Sequence, residues 1–167
     1  VRDCSLMERD YVLSLCDLTG VFCKPWAAAG YRCVCLDTQH SMLNWKINEP
    51  VLPGEIRKVW ADVRSFWPSP EIMRRVAFVA AFSPCTHLAV SGARHFEAKG
   101  LQYLIDALQI VEGCRRICEA SGAPWFVENP VSRLSSCWRK PDFYFDPWQY
   151  DLNGSERYTK KTSLWTG

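Results

Sequence analysis

The stretch Tyr11-Val12-Leu13-Ser14-Leu15-Cys16-Asp17-Leu18-Thr19-Gly20 is followed by Pro25-Trp26-Ala27-Ala28-Ala29-Gly30 and then by Arg32-Cys33-Val34-Cys35-Leu36-Asp37. The outer two segments are short apolar runs of the kind buried parallel strands show. The middle one starts with a proline suited to a first helical turn and stops at a glycine. Strand, turn, helix, strand is a βαβ unit, and each strand ends in an aspartate.

Working outward, Gln39 to Pro53 is polar, with prolines bounding its end, and reads as loop. Lys58-Val59-Trp60-Ala61, ending at Asp62, predicts a third strand. The most hydrophobic run, Val76 to Phe82, predicts the fourth and leads into Ser83-Pro84-Cys85. From Gly100 to Ser121, apolar residues at Leu101, Leu104, Ile105, Leu108, Val111 and Ile117 fit one face of a helix. Trp125 to Val127 predicts a fifth strand, running into Glu128-Asn129-Pro130. The tail reads as irregular and aromatic, through Phe143, Tyr144, Phe145, Trp148 and Tyr150. Alternating strands and helices predict an α/β fold: an open, mostly parallel, Rossmann-like sheet with helices on both faces, in one domain over residues 1–167.

The chain has 167 residues, 48% of them hydrophobic and 23% charged, which suits a globular core. A net charge of +2 gives a weak overall field, so it permits a nucleic-acid partner without demanding one. No apolar stretch is long enough to span a bilayer, and no membrane partner is expected. The nine cysteines are odd in number, and several lie inside apolar runs, as Cys16, Cys33 and Cys35 do. Free thiols in a reducing cytoplasm fit that pattern better than a disulfide framework. No Cys-x-x-Cys pair exists, and His40, His87 and His95 lack zinc spacing with the cysteines. Cys114 and Cys118 offer two ligands on one helix with no second pair, so no metal site is expected.

Open parallel sheets bind ligands at the carboxyl ends of their strands. Asp17, Asp37, Asp62, Cys85 and Glu128 all fall at predicted strand ends. Asp17 to Gly20 is a turn of little bulk leading to a helix N-terminus, which lets a ligand approach the backbone. Asp37, twenty positions beyond Asp17, stands where an acid accepts the ribose hydroxyls of a nucleoside cofactor, or it merely caps its strand. Asp62 accepts from an adenine amino group or caps a loop. Pro84 bends the chain out of the sheet and exposes Cys85, against the alternative of a packing thiol. Glu128 exchanges a proton with a ring nitrogen, or is anchored by Arg133 or a backbone amide. Arg94 and Arg133 hold phosphate or carboxylate, or are solvated. Lys160 and Lys161 read as surface charge, and Trp26, Trp45 and Trp165 as core or cofactor wall.

In their order along the chain these pieces resemble the cytosine-5 DNA methyltransferases. Asp17-Leu18-Thr19-Gly20 through Asp37 looks like that family's first S-adenosylmethionine motif and its ribose-binding acid, and Asp62 like its adenine-binding acid. Ser83-Pro84-Cys85 resembles its Pro-Cys nucleophile loop, and Glu128-Asn129 its Glu-Asn-Val motif. Arg157 to Gly167 loosely resembles the basic strand segment whose arginine helps hold the base. Pro130 stands where the family has valine, Thr86 where many members have glutamine, and the first motif has a single glycine.

The resemblance implies S-adenosyl-L-methionine as cofactor, with Asp17, Leu18, Thr19, Gly20, Asp37, Thr38, Asp62, Val63, Phe82 and Pro84 around it. It implies Cys85, Glu128, Asn129 and Arg157 as catalytic residues and C5 of cytosine as methyl acceptor, in DNA or in a cytosine nucleotide. On duplex DNA the target base is flipped out of the stack. No target-recognition region follows Gly167 here, so the expectation includes a compact enzyme, a protein partner supplying recognition, a single-stranded or mononucleotide substrate, or an inactive binding subunit.

Overall fold

The computed structural model describes residues 8–42, 48–51, 53–88, 100–150 and 160–167. Strand β1 (Tyr11–Leu15), helix α1 (Cys23–Ala28) and strand β2 (Arg32–Asp37) form the βαβ unit that the apolar runs predict. β1 and β2 pair in parallel, Tyr11 beside Arg32 and Leu15 beside Leu36. β4 (Gly54–Trp60) runs parallel to β2, β5 (Val76–Phe82) parallel to β1 on its other side, and β6 (Trp125–Pro130) parallel to β5.

Two stretches depart from the sequence reading. The segment read as loop holds β3 (Asn48–Val51), antiparallel to β4. Asn48, Glu49 and Pro50 are poor strand formers, but β3 is an edge strand and needs a hydrogen-bonding partner on one side only. The tail read as irregular supplies β7 (Phe143–Phe145), and β8 (Thr162–Thr166) falls within the segment likened to a basic strand. β8 runs antiparallel to β6 and carries β7 antiparallel on its far edge. Both are short, and pairing of β8 with β6 and of β7 with β8 fixes them more than local pattern does.

The eight strands lie in the order β3-β4-β2-β1-β5-β6-β8-β7. The chain winds outward from β1 through β2 to β4, then returns to the opposite side of β1 as β5. The carboxyl ends of β1 and β5 therefore flank a topological switch point, the place where open α/β sheets leave a crevice for ligands.

Alternation along the strands gives the sheet two apolar faces. On one, Leu13, Leu15, Leu36, Val79 and Val127 pack with α3 (Leu101–Ala120) through Val111, Cys114 and Ile117. On the other, Val12, Cys33, Cys35 and Ile56 meet Cys23 and Ala27 of α1. Each such Leu, Ile or Val, once buried, contributes about 1.5–3 kcal/mol. The buried stripe of α3 is Ala107, Val111, Gly113, Cys114, Ile117 and Cys118; of the expected row, Val111 and Ile117 belong to it, Leu104 and Leu108 pack partly buried against the core, and Leu101 and Ile105 do not. Leu101 is 70% exposed and Ile105 38%, because the small residues let the helix come closest to the sheet.

Shorter helices complete the chain: α2 (Pro70–Arg74), whose first turn is capped by the Ser69 hydroxyl, and α4 (Leu134–Cys137). No helix among the described residues is long and apolar enough to cross a membrane.

Candidate functional site

At the end of β1 the backbone changes hand. Cys16 takes φ +56°, a left-handed conformation uncommon outside glycine, and Gly20 follows at φ +71°. Between them Asp17 is buried and organises the turn. Its Oδ1 accepts from the Gly20 amide at 2.8 Å and from the Thr19 amide and hydroxyl, both at 3.1 Å. Its Oδ2 accepts from the Ser14 hydroxyl at 2.7 Å. The carboxylate expected to meet the cofactor is thus occupied in holding the turn, while Leu18 and Thr19 remain exposed on it.

His40 closes the same turn from β2. Its Nε2 lies 3.0 Å from the Asp17 carbonyl oxygen; a carbonyl can only accept, so Nε2 carries the proton and donates. The sequence reading considered His40 only as a zinc ligand. A polar residue three positions past a strand carries no stronger signal.

The crevice at the switch point is a cleft of about 130 Å³ lined by Cys16, Asp37, Thr38, Gln39, Ala61, Asp62, Val63, Arg64, Pro84 and Ile110. It gathers five of the expected cofactor residues: Asp37, Thr38, Asp62, Val63 and Pro84. Asp37 Oδ1 accepts from the Gln39 amide at 2.8 Å, which leaves acceptor capacity for a diol. Asp62 is differently placed. The Arg64 guanidinium forks onto its two oxygens at 2.5 to 3.0 Å, and this hydrogen bonding holds the carboxyl below its usual range. An adenine amino group reaching Asp62 has to share it with Arg64.

Phe82 does not line this cleft. Its ring packs edge-on against Phe22 at 5.5 Å and Phe126 at 5.6 Å, in an aromatic patch on the α1 face. Strand alternation is the reason, since Phe78 and Phe82 lie four apart and so share that face.

The nucleophile loop and the acid come from adjacent parallel strands, in register at Phe82 and Glu128. Cys85 lies three residues beyond that pair, half-buried on a turn closed by the Leu88 amide donating to the Cys85 carbonyl at 3.0 Å. Cys23, Cys33, Cys35, Cys114 and Cys118 are buried by contrast, and burial pushes the Cys118 thiol up to about 12. Asn129 joins the two strands. Its Nδ2 donates to the Ser83 carbonyl at 2.9 Å and the Ser83 hydroxyl at 3.2 Å, and that hydroxyl donates to the Glu128 carbonyl at 3.3 Å.

Glu128 is half-buried, and its carboxylate has no hydrogen-bond partner among the described residues. Burial raises its pKa, opposed by the positive charge of Lys160. Lys160, read as surface charge, therefore lies within electrostatic reach of the acid. The Val131 amide, which donates to the Lys161 carbonyl at 3.1 Å, brings that segment to the end of β6. The Arg133 amide donates to the Leu88 carbonyl at 3.1 Å, and its side chain is exposed. Trp165 is core, fully buried, with its indole N–H donating to the Arg139 carbonyl at 2.7 Å. Arg157, Arg94, His95 and Trp45 lie outside the described residues.

One further residue shapes the cleft. A Cβ placed on Gly113 of α3 would stand 2.5 Å from the Val63 carbonyl oxygen, so only glycine lets α3 close on the Asp62–Val63 turn. No protein-family model matches the chain, and no curated protein matches it either.

Proposed function

We propose that this chain is a methyltransferase that uses S-adenosyl-L-methionine to methylate C5 of cytosine in DNA, with Cys85 as nucleophile and Glu128 as acid. The observation that carries the reading is the pairing of a half-buried thiol loop with a half-buried carboxyl, without a hydrogen-bond partner among the described residues, on neighbouring strand ends tied together by Asn129. A thiol poised for addition and a carboxyl with a raised pKa are the two groups an electron-poor pyrimidine needs. Beside them is a cleft with an acid suited to a ribose diol.

In this reading the Cys85 sulfur bonds to C6 of cytosine as Glu128 gives a proton to N3, so electron density moves to C5. The cofactor, when bound, supplies an electrophilic methyl group. C5 would take that methyl as the cofactor's sulfur–methyl bond breaks to leave a neutral thioether, and would then lose its own proton to solvent. The C6–sulfur bond would break to return the thiolate and the aromatic ring as N3 gives its proton back to Glu128. Asp37 and Thr38 would hold the cofactor's ribose, the Asp62–Val63 turn its adenine, and Pro84 would form the wall between cofactor and nucleophile.

The test is transfer of tritiated methyl groups from S-adenosyl-L-methionine to duplex DNA, single-stranded DNA and dCMP, with Cys85→Ala as control. Counts that appear in DNA and vanish in the variant are the expected result. Counts in dCMP alone would move the substrate to the free nucleotide. A wild-type protein that binds cofactor or DNA but transfers nothing, and forms no covalent adduct with 5-fluorocytosine DNA, would overturn the enzyme reading.

A further inference from the structure

Beneath the Asp17–Gly20 turn three buried side chains converge from separate elements. A carboxylate oxygen of Asp17 after β1, the Sγ of Cys23 on α1 and the Sγ of Cys35 on β2 all lie within 4.8 Å of one another. The two sulfurs are 3.3 Å apart. Two thiolates bound to one zinc ion at about 2.3 Å each, at a tetrahedral angle, stand ~3.8 Å apart, so a small opening of this pair admits an ion between them. Cys33, two positions from Cys35 on the same strand face, lies beside this trio with its thiol donated to the Cys23 carbonyl at 3.5 Å; turned off that carbonyl, it would offer a fourth donor.

We infer that Asp17, Cys23 and Cys35, with Cys33 as fourth ligand, form a structural site for a thiophilic divalent cation of the zinc class. Three sulfurs and one oxygen are a donor set that selects zinc over magnesium or calcium. Each thiol gives up its proton to the solvent on binding, and the formal charge that results is no larger than in a four-cysteine site. The Thr19 and Gly20 amides and the Ser14 hydroxyl already hold the Asp17 carboxylate in place, which is the support a metal ligand requires. The ion would pin β1, α1 and β2 to one point directly under the turn.

The sequence hides this set because its members sit at spacings of six, ten and two, with no Cys-x-x-Cys pair. Only the βαβ crossover brings them together. The proposal stands apart from the catalytic reading and does not depend on it.

The experiment is anaerobic titration of the reduced full chain with Co²⁺ alone, followed by competition with Zn²⁺. The expected result is one equivalent bound, with sulfur-to-cobalt charge-transfer absorption and tetrahedral d–d bands that zinc abolishes. Cys23→Ser and Cys35→Ser should lose these bands, while Cys137→Ser and Cys118→Ser keep them. X-ray absorption on the zinc-loaded wild type guards against variants that fail to fold; it should show sulfur at about 2.3 Å and oxygen near 2.0 Å. A wild type without thiolate bands, bands that persist in both Cys23→Ser and Cys35→Ser, or a zinc shell without sulfur would each overturn the proposal.

Discussion

The side-chain amide of Asn129 donates to the carbonyl oxygen of Ser83 at 2.9 Å, across the gap between the ends of β6 and β5. Asn129 is fully buried, and its Oδ1 has no partner among the described residues. One amide thus fixes the loop that carries Cys85 relative to the strand that carries Glu128. Asn129→Ala leaves the Ser83 carbonyl without its donor, which costs about 1–3 kcal/mol of stability. It also frees the Cys85 loop to shift, and a displacement near 1 Å lowers kcat on the order of 100-fold. Chemical denaturation and single-turnover methyl transfer measure the two effects. Cofactor affinity should change little, because Asn129 does not line the cleft.

Glu128 gives a pH prediction whose sign follows from burial. Its folded pKa lies above its unfolded value, so the protonated form is favoured in the native state. That contribution is fully present below the unfolded pKa of about 4.3 and is lost as pH rises through the raised folded value. Glu128→Gln removes the ionisation. The variant's Tm should therefore gain on the wild type as pH rises through that window, even as methyl transfer is lost. Paired thermal melts across pH would show the gain; a constant difference would count against a buried, raised carboxyl. Lys160→Ala acts on the same group from the other side. With the neighbouring positive charge gone, the Glu128 pKa should rise further and the falling limb of the activity profile should move to higher pH.

The βαβ unit was legible because Tyr11–Leu15 and Arg32–Asp37 are apolar runs bounded by turn residues, and local pattern alone fixes such elements. Val76–Phe82 was legible for the same reason. β3 and β7 were not: Asn48–Val51 carries no strand pattern and is held by its hairpin partner β4, and Phe143–Phe145 is held by β8 about twenty residues on. The site divides in the same way. Cys85 and Glu128 could be placed by their positions at strand ends, since a parallel sheet gathers those ends at one edge. The occupation of Asp17 by its own turn, the hold of Arg64 on Asp62 and the turning of Phe82 to the opposite face depend on side-chain geometry that a linear pattern does not encode.

His40 offers a test of how the cleft is held. Its donation to the Asp17 carbonyl ties the segment after β2 to the turn after β1, and Thr38 and Gln39 of the one and Cys16 just before the other line the cleft proposed for the cofactor. His40→Ala leaves that carbonyl short of a partner and loosens Thr38 and Gln39. The expected outcome is a rise of about tenfold in the Kd for S-adenosyl-L-methionine, equivalent to ~1.4 kcal/mol, with kcat at saturating cofactor nearly unchanged. Isothermal titration calorimetry alongside steady-state kinetics separates the two. A kcat loss at unchanged Kd would place His40 in the chemistry instead.

Gly113 tests the helix rather than the loops. Alanine is ordinarily the better helix former by about 1 kcal/mol, so propensity alone predicts that Gly113→Ala stabilises α3. The added methyl would lie 2.5 Å from the Val63 carbonyl oxygen, a backbone atom that cannot turn aside as a side chain would. Overpacking of that kind costs about 1–3 kcal/mol, which outweighs the propensity gain. α3 then has to move away from the Asp62–Val63 turn, widening the cleft on the side expected to hold the adenine. Gly113→Ala should lower Tm and weaken cofactor binding together, whereas Leu101→Ala at the exposed start of the same helix should change neither. If Gly113→Ala raised Tm, helix propensity would be the larger effect and the close approach of α3 to Val63 would not be what shapes the cleft.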